Sequence, residues 1–412
     1  MGFATLCFAL ALMGVIAYAQ DLTGFYYHPR ILALTHLITL GWITGNILGL
    51  LYIICPMALR TSLPSSRYDA VAFILYTIGV MGMVTHFWQD LPAGMIWSAG
   101  CVYAAIIFAG IRVMARIAKG KIPGFVKLHI FFSFTNMFVA GGWGFVIGLN
   151  KVYGFLPTSS SPNVIAHAHL AAIGWAGMMV FGASYRLLPM FVPGAPVKGI
   201  TPWISGILLE CGVIGLFFAL LFQSPFAMIF AFLILAGTIL FLKSAVHTLR
   251  TRKAAPPPEP PGPDFSMLHA PFSLLSLLLC LICGPILLQL PPTEQTLQLA
   301  LGYGAIGFIG FLSQMIVGFK PKILSIFTWY HAFSRYGTQV PRPVDMPVRV
   351  FQIAIFALWL TGLPLLISGI VAAARMLIMA GGVFILSALV LSTIHEASIL
   401  RLIWKSGTTK QP

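Results

Sequence analysis

Charge is what this 412-residue chain has least of. Asp, Glu, Lys and Arg together make up 8% of it, and only 9 residues are acidic. A soluble domain carries roughly three times that share, so a fold with a water-facing surface all round is excluded. No Lys or Arg precedes Arg30. A cleaved secretory signal needs a basic start, so the apolar N-terminal stretch is expected to be a retained helix. Ala17-Tyr18-Ala19 before Gln20-Asp21 does have the form of a signal-peptidase site, and cleavage there would leave eleven helices in the same orientation. The six cysteines are scattered through apolar segments. Cys280 and Cys283 have redox or zinc spacing, but no second pair matches them, so packing is the expected role and disulfides are not indicated. No two histidines are adjacent anywhere.

What fills the chain is apolar sequence. Hydrophobic residues make up 59% of it and the mean hydropathy is +0.94. Runs of about 17–25 apolar residues are long enough to cross a bilayer. Twelve such runs are expected, roughly at 3–20, 31–57, 69–89, 94–115, 125–148, 164–190, 202–222, 226–249, 267–289, 297–319, 349–373 and 376–403. None shows strand-like alternation, so all are expected to be helices. The fold class is therefore an all-α integral membrane protein of about twelve transmembrane helices. Residues 1–412 read as one polytopic domain. The stretch 254–264, AAPPPEPPGPD, is expected to be an extended cytoplasmic linker between the eighth and ninth spans.

The basic residues set an orientation. With the N-terminus inside, all of the 24 Lys and Arg residues except Arg30, Lys151 and Arg375 fall on the inner side. The positive-inside rule then predicts a multi-pass protein of the cytoplasmic (inner) membrane with both termini cytoplasmic. The net charge of +15 is thus a topology signal. It sits in short loops with no basic aromatic platform, so a nucleic-acid partner is not expected; the bilayer is.

An internal repeat carries the chemistry. Residues 31–57 read ILALTHLITLGWITGNILGLLYIICPM, and 164–190 read VIAHAHLAAIGWAGMMVFGASYRLLPM. An offset of 133 residues superimposes His36 on His169, Gly41 on Gly174, Trp42 on Trp175, Gly49 on Gly182, Tyr52 on Tyr185 and Pro56 on Pro189. Histidine inside a bilayer is costly and is a functional-site hypothesis by default; neutral imidazole is also a common metal ligand. Both histidines lie about six residues into helices running inward, roughly 9 Å below the outer boundary. His167 and His169 differ by about 200° around a helix, so they do not chelate one ion together. They suit one ligand for each of two cofactors, or separate packing roles. His86 falls in the same leaflet, as a candidate ligand or an interfacial residue, and His28 lies at the outer mouth. Arg30, also at that mouth, is a candidate partner for an acidic cofactor substituent. The glycines allow either close helix approach or room for a flat macrocycle.

The segment HAHLAAIGWAGMMVFGASYRLLP resembles the helix of the C-type heme-copper oxidase catalytic subunit that carries two heme-ligating histidines. There the pattern is H-x-H, then Gly-Trp, then F-G-A-x-Y and Pro. The resemblance implies a heme-copper-oxidase-like bundle, a low-spin heme b held by His36 and His169, and His167 as the ligand of a second heme. Three-fold internal repetition is another trait of that superfamily; here the third copy, around Gly307–Pro321, is faint and has no histidine. The H-x-H helix is the sixth here and the tenth in the family. The family's copper site needs an adjacent His-His pair, which this chain lacks. Copper near the heme and oxygen reduction are therefore not expected. A second family with similar traits is that of the twelve-helix heme- and copper-containing membrane proteins linked to the nitric oxide response.

The expected function is thus a membrane-integral heme-binding protein that transfers electrons or handles nitric oxide or another diatomic gas. If it is an enzyme, it is an oxidoreductase of the heme-copper oxidase or nitric oxide reductase type. Cytochrome c or a quinol would be its electron donor. The alternatives are a polytopic transporter and a cofactor-free accessory protein of a respiratory complex. Against a transporter, intramembrane carboxylates are few: Glu210 in the seventh span and Glu396 near the inner end of the twelfth.

Overall fold

The computed structural model describes residues 1–24, 27–253 and 263–405. Every regular element among them is helical. Apolar segments in a bilayer have to satisfy their own backbone groups, and a helix does so within one segment. Twelve helices result: α1 (Gly2–Ala17), α2 (Pro29–Met57), α3 (Arg67–Trp88), α4 (Pro92–Lys119), α5 (Gly124–Tyr153), α6 (Ser160–Phe191), α7 (Thr201–Leu221), α8 (Ala227–Arg250), α9 (Phe265–Leu287), α10 (Glu294–Gln339), α11 (Arg349–Val371) and α12 (Arg375–Trp404). Eleven are long and apolar enough to cross a membrane; α1 is shorter. The Pro-rich stretch 254–264 lies outside the described residues except for Pro263 and Asp264, where Asp264 caps α9 by accepting from the Met267 N–H.

Three of the helices change pitch midway. α2, α6 and α10 each contain eight residues of π-helix, at Leu37–Thr44, Leu170–Gly177 and Ile306–Ser313. In chain order a straight helix, an interrupted helix and a helical hairpin recur three times: α1–α4, α5–α8 and α9–α12.

The helices fall into two compact units. One contains Met1–Asn46 and the chain from α9 onward. In it α1 lies against the π stretch of α2, α9 against the π stretch of α10, and α11 against α12. Its core holds Phe8, Trp42 and Trp359, with Phe8 stacked on Trp42 at 4.8 Å between ring centres. The other runs from Ile47 to the end of α8. In it α5 lies against the π stretch of α6, α3 pairs with α4, and α7 pairs with α8. Phe73, Ile74, Ile78, Phe218, Ile229 and Phe232 point outward from its helices. Large exposed apolar side chains in such numbers mark a lipid-facing surface.

α10 corrects one expected boundary. Its helix runs to Gln339 instead of ending near 319, a length of 46 residues, or about 69 Å at 1.5 Å per residue. Lys320, Lys322 and Arg335 therefore sit on a helix, not in a loop. The apolar run stops at Lys320-Pro321, but Ser325, Thr328 and Ala332 stay buried and carry the helix on.

Glycine sets the closest approaches. A Cβ on Gly381 would lie 2.4 Å from the Leu366 nitrogen and 2.8 Å from the Gly362 oxygen, both backbone atoms of α11. Gly381→Ala must push α11 and α12 apart, and overpacking of this kind costs typically about 1–3 kcal/mol. Thermal unfolding in detergent should occur at a lower temperature for Gly381→Ala. Gly148→Ala, with nothing within 4 Å of the added carbon, should show no such drop.

Candidate functional site

The repeated histidines mark the point where helix geometry changes. His36 ends the 8-residue α-helical lead of α2, and His169 ends the 10-residue lead of α6. The π stretch begins at the next residue in both. Below it, the Gly45 N–H bonds to the Leu40 and Trp42 carbonyls, and the Met178 N–H bonds to those of Ile173 and Trp175. The third copy is as regular: the Gln314 N–H bonds to the Ile309 and Phe311 carbonyls. An offset of 136 residues therefore places Ala305 where His169 stands. π-Helical interruptions are rare and gather at functional sites.

The imidazoles are fixed by carbonyls. His36 Nδ1 donates to the Leu32 carbonyl at 2.7 Å, and His169 Nδ1 donates to that of Ile165 at 2.9 Å. A carbonyl only accepts, so each Nδ1 carries the proton and Nε2 is the lone-pair nitrogen of the neutral ring. His167 takes another partner, donating from Nδ1 to the Ala140 carbonyl of α5 at 3.0 Å. Its Cε1 would lie 2.9 Å from a Cβ on Gly144. The two histidines thus engage different elements. All three remain half-buried within their helices.

The other sequence candidates each have partners of their own. His86 Nδ1 lies 2.9 Å from Ser98 Oγ, whose own proton goes to the Gly94 carbonyl. Trp97 meets the His86 ring edge-on. His28 caps α2 by accepting from the Arg30 N–H. Arg30 pairs with Asp21 at 2.9 Å and lies over Tyr18. Its guanidinium already has a carboxylate.

The carbonyls of the π stretches are met by side chains. Asn46 donates to the Trp42 carbonyl, Ser133 to that of Trp175, and Ser273 to that of Phe311. Asn136 donates to the Gly174 carbonyl. Ser133 and Ser273 belong to a second, weaker repeat: Leu128-His129-Ile-Phe-Phe-Ser133 on α5 and Leu268-His269-Ala-Pro-Phe-Ser273 on α9. His129 and His269 are buried. Their Cβ atoms would meet an added Cβ on Gly182 and Gly318 at 2.8 and 2.7 Å. Gly41 and Gly45 likewise face Cys7 and Ala4, and Gly174 faces Asn136. At these positions glycine serves close helix approach.

Two polar pairs are decided by tertiary contacts. Lys320 on α10 and Glu396 on α12 form an ion pair of 2.7 Å, with Trp42 5.4 Å from the ammonium. Asn136 on α5 donates to Glu210 on α7 at 2.8 Å. Sequence singled out both carboxylates as intramembrane but assigned them no partner. Among the described residues no group of three or more His, Cys, Asp or Glu side chains is arranged to hold a metal ion.

These features define a class: the chain is an all-α, polytopic, membrane-integral helical bundle. No model of a known protein family matches it, and no curated protein is significantly similar to it.

Proposed function

We propose that this protein binds heme b, with His36 and His169 as the axial ligands of a low-spin heme and His167 serving a second cofactor. One observation carries the reading. The two repeat-related histidines stand at the same turn, immediately before a π stretch, and both spend Nδ1 on a backbone carbonyl. Ligating imidazoles hold their tautomer in this way, presenting Nε2 to iron. The donor chemistry therefore fits heme. When bound, heme supplies one-electron chemistry, or gas binding at an open coordination position. The chain's own residues would orient the ligands and keep water out. Electron transfer or handling of nitric oxide fits this better than oxygen reduction.

A reduced-minus-oxidised optical spectrum of the purified protein tests the reading. A b-type spectrum is the expected result, and a spectrally silent protein that retains its helical circular dichroism would refute it. A second reading, a transporter, draws support from the three interrupted helices, because transport sites are often built on broken ones. The silent protein is its expected outcome.

The basic residues support a cytoplasmic-membrane location with both termini cytoplasmic. A C-terminal green fluorescent protein fusion should fluoresce, and an alkaline phosphatase fusion at the same position should be inactive. The reverse pattern would invert the orientation.

A further inference from the structure

Glu210 is the carboxylate of α7, at the middle of its helix. Cys211, the next residue, is exposed. Glu210 Oε2 accepts from Asn136 Nδ2 at 2.8 Å, and the same nitrogen donates to the Gly174 carbonyl at 3.2 Å. Both neighbours of that nitrogen are acceptors, which fixes the orientation of the amide. Asn136 is fully buried, and its Oδ1 has no donor. A Cβ on Gly174 would lie 3.0 Å from both Cβ and Cγ of Asn136, so glycine there seats the amide.

An ionised carboxylate offers acceptors only. A carboxylic acid offers one acceptor and one O–H. That is the complement of a primary amide: N–H to the acid carbonyl and acid O–H to the amide oxygen, side by side along one edge. A protonated Glu210 can give Asn136 Oδ1 the donor it lacks once its O–H turns toward that oxygen, whereas the anion has no proton to offer it. We propose that Glu210 and Asn136 form a proton-binding site within the span, in which Glu210 is held as the neutral acid. A bound metal cation would need about six oxygens, more than Glu210, Asn136 and the Gly174 carbonyl supply. The proton is the ligand that fits.

The surroundings agree. None of the ion pairs of the described residues includes Glu210. On α5 the nearest titratable group is His129, which packs against Gly206, a turn before Glu210. On α6 they are His167 and His169, between one and two turns before Gly174. The α8 residues packed on this part of α7 are Phe230, Ile234 and Gly237, none of which titrates. The proposal is independent of heme: it needs only the acid and its amide.

Infrared spectra of the full-length protein, with and without heme, provide the test. A protonated-carboxyl C=O band should be present at neutral pH, absent in Glu210→Gln, and shifted in Asn136→Leu. Dicyclohexylcarbodiimide gives a second readout that needs no variant. It takes the acid proton on nitrogen, is attacked at carbon by the carboxylate, and rearranges to a stable N-acylurea. A carboxylate fully in water is protonated in about one copy in five hundred at pH 7. Peptide mass spectrometry should find Glu210 labelled in most copies. A carboxyl band unchanged between wild type and Glu210→Gln, or an unlabelled Glu210 in folded protein, would show that the carboxylate is ionised and overturn the proposal.

Discussion

Replacing either His36 or His169 with alanine should abolish the low-spin heme spectrum while leaving membrane insertion intact. An axial ligand of a bis-histidine heme has no substitute among apolar neighbours, so loss should be complete in each single variant. His167→Ala should behave differently. Its Nδ1 donates to the Ala140 carbonyl of α5; the low-spin bands should survive while any signal that shifts with carbon monoxide disappears. The third repeat supplies an internal control. Ala305 occupies the histidine position of α10, so Ala305→Ser should leave every heme band unchanged. A normal bis-histidine spectrum in both Ala variants would rule out the ligand assignment.

Breaking the Lys320–Glu396 pair should be the most damaging change away from the histidines. Lys320 retains 2% of its surface and Glu396 8%. Ser392 donates to Glu396 Oε1, and Thr5 Oγ1 lies 3.5 Å from the ammonium. Removing one partner leaves a buried charge uncompensated, which costs about 3–5 kcal/mol. Removing both takes away the desolvation penalty along with the attraction. Lys320→Met and Glu396→Leu should each sharply reduce folded, monodisperse protein in detergent, and the double variant should recover much of the loss. Single variants as stable as wild type would show that the pair contributes little to holding α10 against α12.

Solvent choice was written in the sequence. An 8% charge content and repeated apolar runs leave a helix as the only way to satisfy the backbone in lipid, so the spans were legible within a few residues except at the end of α10. The first two copies of the repeat were also legible, because His36 and His169 sit in matching Gly-Trp contexts. The third was faint, because Ala305 replaced the histidine and Phe311 the tryptophan. Its identity lies in the backbone, where the Gln314 N–H repeats the bonding of Gly45 and Met178. Hydropathy records where a chain enters lipid, not where a helix changes pitch or continues beyond the apolar run, so the π stretches and the length of α10 came from packing. Partner choice was likewise decided by the tertiary structure. Lys320 and Glu396, and Asn136 and Glu210, are each more than seventy residues apart in the chain. No local pattern joins them; helix packing does, and the cost of an unmatched polar group in an apolar interior makes each pairing matter.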